Sequence, residues 1–94
     1  MCFGVMQALD ELGIAYGDGG VTLISFDAGR TALSYCKDGK IDLCAECNPL
    51  HGPRVRALIE QLARGETPEK LSYMPEALFT ADTLTAELLE SRVY

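Results

Sequence analysis

The stretch Val21-Thr-Leu-Ile-Ser-Phe-Asp27, running on into Ala28-Gly29-Arg30, decides the fold. Its first six residues form a short apolar run rich in β-formers, and such continuous apolarity predicts a strand covered on both faces, as in a parallel sheet. Asp27 ends that strand, and Thr31 to Lys37 reads as a helix closed by Asp38-Gly39. A second strand then spans Ile41 to Cys47. Upstream, Val5, Ala8, Leu9 and Leu12 recur at helical spacing and stop at Gly13, a residue suited to the left-handed position after a helix, which predicts a helix over 1–12. Between that helix and the first strand, Tyr16 to Gly20 carries three glycines and reads as a turn.

Downstream, Asn48-Pro49 stops the second strand. Pro53 stands where a first helical turn accepts it, with Val55, Leu58, Ile59 and Leu62 on one face and Gly65 as the stop. Leu71 to Phe79 reads as a third strand, at an edge or interrupted, because Pro75 cannot donate to a ladder. Thr80 is the expected N-cap of a last helix with Asp82 in its first turn and Leu84, Leu88 and Leu89 on its apolar side. The resulting order α-β-α-β-α-β-α, with short connections, gives right-handed crossovers between parallel strands. The expected class is therefore α/β, a three-layer, Rossmann-like parallel sheet. A unit of this kind normally opens on a strand, so the leading helix looks like the continuation of something cut away.

The chain has 94 residues, 48% of them apolar, with 8 basic and 14 acidic side chains and a net charge of −6. That length holds one small domain or part of a larger one, and its stability margin is expected to be thin. The acidic balance argues against nucleic acid or an anionic membrane as partner, since both attract a positive surface. No apolar run approaches the roughly 20 residues that span a bilayer, and the N-terminus lacks the pattern of an export signal. As written, the chain is expected in the cytoplasm, so Cys2, Cys36, Cys44 and Cys47 are expected as free thiols.

In open α/β sheets ligands bind beyond the carboxyl ends of the strands. The first such end offers Phe26 and Asp27. A carboxylate accepts hydrogen bonds from vicinal hydroxyls and an aromatic ring covers an apolar sugar face, so the pair suits a carbohydrate. The alternative is that Asp27 only caps the following helix. The second strand end offers Glu46 and Asn48, with Pro49 fixing the exit, and Glu46 could instead pair with a basic residue such as Arg30 or Arg54. Strand alternation sends Glu46 and Cys47 to opposite faces.

Cys44-Ala-Glu-Cys47, with Cys36 and His51, can be written as a zinc or thiol site, but residues three apart on a strand face opposite sides and no second CxxC exists. The one histidine, His51, reads as a loop or capping residue. No nucleophile elbow, phosphate loop or zinc-protease motif occurs, so neither enzyme activity nor a cofactor is expected.

Several segments together resemble the C-terminal part of the substrate-binding proteins of sugar ABC importers, of the type I periplasmic-binding-protein fold and the ribose, galactose and galactofuranose kind. These are Gly4 to Gly13, Ser25 to Gly29, Lys37 to Lys40, Glu46 to Leu50 with Gly52-Pro53, Gly65-Glu66, and Phe79-Thr80 through Tyr94, in the family's order over nearly the whole chain. The resemblance implies a two-lobed clam-shell closing on a monosaccharide. It assigns 1–47 to the second lobe, 48–79 to the first lobe and 80–94 to a C-terminal helix, with hinges at Cys47-Asn48-Pro49 and Leu78-Phe79-Thr80. Asp27 matches the family's sugar-hydroxyl acceptor. Asn48 keeps the family pattern, while Cys47, with Glu46 beside it, stands where many relatives carry a glutamine. An ABC permease is the implied partner and the periplasm or outer membrane face the implied location. The lactose-repressor type of regulator shares the fold, but the C-terminal segment is closer to the transporter proteins. Most of the two lobes is missing from 94 residues, so weak or absent sugar binding is expected of the chain alone, and a small self-associating structural protein is the competing reading.

Overall fold

Strands β1 (Ile24–Asp27) and β2 (Leu43–Glu46) pair in parallel, with Ile24 opposite Leu43 and Asp27 opposite Glu46, in a computed structural model that describes residues 1–94. A third strand, β3 (Leu78–Phe79), pairs with β2 in the antiparallel sense, giving the order β1-β2-β3. Helix α1 (Cys2–Glu11) precedes β1, α2 (Arg30–Lys37) links β1 to β2, and α3 (Gly52–Ala63) lies between β2 and β3. A 3-10 turn, Ala81–Thr83, and α4 (Ala86–Ser91) end the chain. The βαβ crossover read from residues 21–47 is present. The third strand departs from expectation in direction and extent: only Leu78 and Phe79 reach β2, and Leu71 to Ala77 stay outside the sheet.

Register puts Ser25, Cys44 and Phe79 on one face, and all three are buried. Around them the core gathers Met6, Leu23, Ala32, Leu33, Cys36, Ile41 and Leu84. α2 fits against this face because Ala32, Leu33 and Cys36 recur at helical spacing and all are buried. The Cys36 Sγ donates to Phe79 O and the Cys44 Sγ to Ala32 O, each at 3.6 Å, so two buried thiols stitch α2 to the sheet as small apolar residues. α1 meets the same layer through Met6 and through Phe3, whose ring stands edge-on to Tyr35 at 5.7 Å.

The other sheet face is bare. Ile24 is 52% exposed, Phe26 73% and Leu78 65%, so the sheet has one helical layer where three layers in all were expected. The continuous apolarity of residues 21–26 pointed to two covered faces, and this chain supplies cover for one.

α3 is regular, with Pro53 in its first turn, an Arg56–Glu60 pair at 2.9 Å and Gly65 at φ 77° just past its end. None of its residues is buried, and Val55, Ile59 and Leu62 of its apolar stripe are exposed. Residues 48–77 thus form an arm that stands away from the body. The radius of gyration is 17.6 Å, against about 12 Å for a compact chain of this length. Thr80 caps the 3-10 turn, exchanging hydrogen bonds with Thr83, and Thr85 caps α4 by accepting from Leu88 N at 3.1 Å. The last helix therefore starts later than the sequence indicated, because the Thr80 cap leads into one tight turn only.

Candidate functional site

The exit of β1 is built from an unusual backbone. Asp27 has φ 80° and Ala28 φ 46°, both in the left-handed region that non-glycine residues avoid. Gly29, next in line, sits at φ −65° and begins α2 as its N-cap. Asp27 makes no side-chain cap on α2, which removes the capping alternative. Its carboxylate joins no ion pair and is exposed. Phe26 and Asp27 both line an open cavity of about 630 Å³, together with Met1, Phe3 and Val5 of the α1 segment and Tyr94. The pair singled out in the sequence therefore stands together at one opening, with an acceptor that nothing in the protein uses.

Glu46 lies directly across from Asp27 in register, yet its carboxylate turns into the protein. Oε1 accepts from the Tyr94 hydroxyl at 2.6 Å and pairs with Arg92 Nη2 at 2.7 Å, while Oε2 accepts from Ala77 N at 3.1 Å. The Glu46 side chain is 7% exposed and that of Arg92 13%. Burial alone would raise the Glu46 pKa, but the hydrogen bonds from Tyr94 and Arg92, with the Arg92 charge, outweigh it and hold the carboxyl below its ordinary value. The Tyr94 hydroxyl is pushed up, by burial first and then by the bond to Glu46. Glu46 does pair with a base, and the base is Arg92 in place of Arg30 or Arg54.

Asn48 is separate from the cavity. Its Oδ1 accepts from Leu50 N at 2.9 Å, closing a turn on itself, and its backbone N donates to Glu76 at 3.0 Å. With Glu46 N donating to Ala77 O at 2.9 Å, this bond holds the outgoing segment Cys47-Asn48-Pro49 beside the returning one, which continues through Leu78 and Phe79 to Thr80. The expected hinge residues thus sit at the root of the arm. Cys44 is buried against α2, Cys47 is exposed, and His51 is exposed at the start of α3 without a side-chain cap. No three His, Cys, Asp or Glu side chains come together as a metal would need.

Arg92 and Tyr94 are the site-building residues that sequence reasoning passed over. Arg92 Nη2 also donates to Ala28 O at 3.2 Å and to the Tyr94 hydroxyl at 2.8 Å, and the guanidinium stacks on the Tyr94 and Phe79 rings. Arg30 N donates to the Tyr94 main-chain O at 2.9 Å. The one available signal was a strand-exit carboxylate in need of a base, with four basic side chains between Glu46 and Arg92 as rivals.

A partly parallel three-stranded sheet with helices on one face matches a fragment of the periplasmic-binding-protein fold. Solved structures that match include a sugar-binding protein and one that holds a bound sugar. A galactofuranose binding protein aligns at TM-score 0.73 and 31% identity over 93% of this chain and 29% of its own. A Mycobacterium smegmatis structure in complex with β-D-fucofuranose aligns at TM-score 0.74 and 28% identity over 84% of this chain and 26% of its own. A further structure from Mycobacterium smegmatis aligns at TM-score 0.70 and 28% identity over 85% of this chain. The chain thus spans less than a third of the length of these neighbours. No family model and no curated protein matches it.

Proposed function

We propose that the chain is a non-catalytic, monosaccharide-binding module, corresponding to the C-terminal part of the substrate-binding protein of a sugar ABC importer. The observation that carries this reading is that the unused Asp27 carboxylate and the exposed Phe26 ring belong to residues lining one cavity. Two carboxylate oxygens accept from vicinal hydroxyls, and the ring covers the C–H face of the sugar. The furanose in one neighbour and the galactofuranose named for another support a furanose-sized ligand. Glu46 and Asn48 are spent on structure, so in this reading they shape the site without touching sugar. Residues 1–47 serve as second-lobe structure, 48–79 as the first-lobe excursion and 80–94 as the closing helix. An ABC permease is the partner of the whole assembly, and the periplasm or the outer membrane face its place of work.

The test replaces the matched 29% of the galactofuranose binding protein with these 94 residues and titrates the chimera with galactofuranosides, fucofuranose and a panel of pyranoses by calorimetry. Saturable binding that Asp27→Asn weakens at least tenfold supports the reading. A folded chimera silent to every sugar refutes it. The chain alone is expected to bind weakly or not at all.

A second reading has its own observation. The accessible surface is 6726 Å², against about 5,300 Å² for a folded monomer of this mass. The excess of about 1,400 Å² per chain is what a stable homodimer buries. A second copy is the partner that fits, because each chain carries both a bare sheet face (Ile24, Phe26, Leu78) and an apolar helix stripe (Val55, Ile59, Leu62). Exchange of arms between two copies covers both. Sedimentation should give a dimer at micromolar concentration that Ile59→Glu converts to monomer. A strict monomer at millimolar concentration rules this out.

A further inference from the structure

We propose that Arg92, fixed by Glu46 and Tyr94, is the positioning residue that holds the Asp27-Ala28 turn in its left-handed conformation and so aims the Asp27 carboxylate into the cavity. The sugar-binding role of Asp27 is the reading given above; the clamp itself stands on geometry.

Two adjacent non-glycine residues at φ 80° and 46° do not stay there unaided, since strained backbone persists only where its surroundings over-determine it. Nothing local does so here. Asp27 makes no cap, and Gly29, with room for a side chain and a negative φ, imposes no constraint. The ties to this turn come from the far end of the chain. Arg92 Nη2 reaches the carbonyl of Ala28 at 3.2 Å, and the main-chain O of Tyr94 accepts from Arg30 N at 2.9 Å. One tie fixes the last strained residue, and the other fixes the first residue of α2.

Arg92 is itself held. Its Nη2 pairs with Glu46 at 2.7 Å, its guanidinium lies over the Tyr94 ring at 4.4 Å and the Phe79 ring at 5.4 Å, and the Tyr94 hydroxyl bridges the two charged groups, with Nε left buried and without a partner. Glu46 in turn is anchored through Oε2 to Ala77, where the arm returns to the sheet. A continuous chain of contacts therefore runs from the root of the arm, through Glu46 and Arg92, to the turn that carries Asp27. All three polar contacts of Arg92 are made by Nη2 and none by the buried Nε; what arginine adds over lysine is the flat guanidinium lying over the Tyr94 and Phe79 rings.

The experiment reads the Ala28 backbone by NMR in the full chain, using Cα and Cβ shifts and the amide–Hα coupling as reporters of positive φ, with amide exchange at Arg30. In Arg92→Ala the left-handed signature at Ala28 is expected to disappear and Arg30 exchange to quicken at least tenfold, while Leu33 to Cys36 of α2 keep wild-type shifts. Arg92→Lys is expected to restore the Arg30 protection only in part. If Arg92→Ala does not fold, Tyr94→Phe carries the test, with Arg30 exchange at least threefold faster. An unchanged Ala28 signature in folded Arg92→Ala, or unchanged Arg30 exchange in Tyr94→Phe, overturns the proposal. In the sugar-binding chimera, Arg92→Ala is expected to weaken binding at least tenfold. A wild-type chimera that binds no sugar, with Ala28 still dependent on Arg92, removes the sugar reading and leaves the clamp standing.

Discussion

Replacing Asp27 with glycine should make the protein more stable and, in the chimera proposed above, abolish sugar binding. Left-handed backbone costs an ordinary residue roughly 1–2 kcal/mol, and aspartate, which tolerates the region, sits near the lower end. At φ 80° glycine bears none of this cost. Against that gain, glycine enlarges the unfolded ensemble by about 0.4–1 kcal/mol. The Asp27 side chain makes no cap and no ion pair in the fold, so its removal subtracts nothing further. The net expectation is a gain of roughly 0–1 kcal/mol, or up to about 8 °C in melting temperature for a chain of this size. Gly29→Ala is the control: φ is −65° and no atom lies within 4 Å of the added Cβ, so the gain of about 0.4–1 kcal/mol from a stiffer unfolded chain is offset by alanine's poorer fit at the N-cap, and stability should change by less than about 0.5 kcal/mol. Thermal and urea unfolding followed by circular dichroism give both numbers. A loss above about 1 kcal/mol in Asp27→Gly would mean that the carboxylate supports the fold, and its assignment as a free acceptor for ligand would fall.

Acid should weaken the fold through Glu46: its folded pKa is depressed, so its contribution is complete above the ordinary value of 4.5 and disappears as pH falls through the lower folded value. Urea titrations between pH 3 and 7 should show that loss, and Glu46→Gln should flatten it; an identical acid slope in the variant contradicts the assignment. Thiol labelling at pH 8 should modify exposed Cys47 first and spare Cys44, whose thiol burial pushes up to about 12, until the chain is unfolded. Equal labelling rates in the native protein would refute the buried position. Gly17→Ala should cost more than about 2 kcal/mol, since its φ is 73° and its Cβ would run into the Gly39 carbonyl, whereas Gly19→Ala, at φ 82° with open space, should cost about 1 kcal/mol. Equal costs at the two positions would show that the close approach at Gly17 is wrong.

What could be read from the sequence was local. The helix at 30–37 and the strands on either side of it follow from apolar spacing and from turn residues a few positions away. β3 lies at the sheet edge, as Pro75 indicated, but its direction and its start were misread because its existence depends on β2. Leu71 to Met74 has as much β character as Leu78-Phe79, but only the latter pair finds a neighbour to bond with. The apolar stripe of α3 was legible and its lack of a partner was not, since spacing shows which face is apolar and never what covers it. The Glu46 base was missed for a similar reason. Arg30 and Arg54 are nearer in sequence, but the path of the C-terminal segment across both strand ends brings Arg92 instead.

The Asp27-Ala28 turn shows why the site resists sequence reading more than the fold does. A local reading gives the flexible role to Gly29, the residue best able to take a positive φ. The structure gives that conformation to the two residues before it and leaves Gly29 in a region any residue adopts. The easy arrangement was available one position away and is not used, so the strain has to be imposed from outside the turn. The contacts that reach it are those of Arg92 and Tyr94, themselves fixed by Glu46 at the end of the neighbouring strand. Glu46, first read as a ligand contact, is thus the anchor of the residue that reaches the Asp27-Ala28 turn, and the backbone geometry at the end of β1 is tied to the far end of the chain.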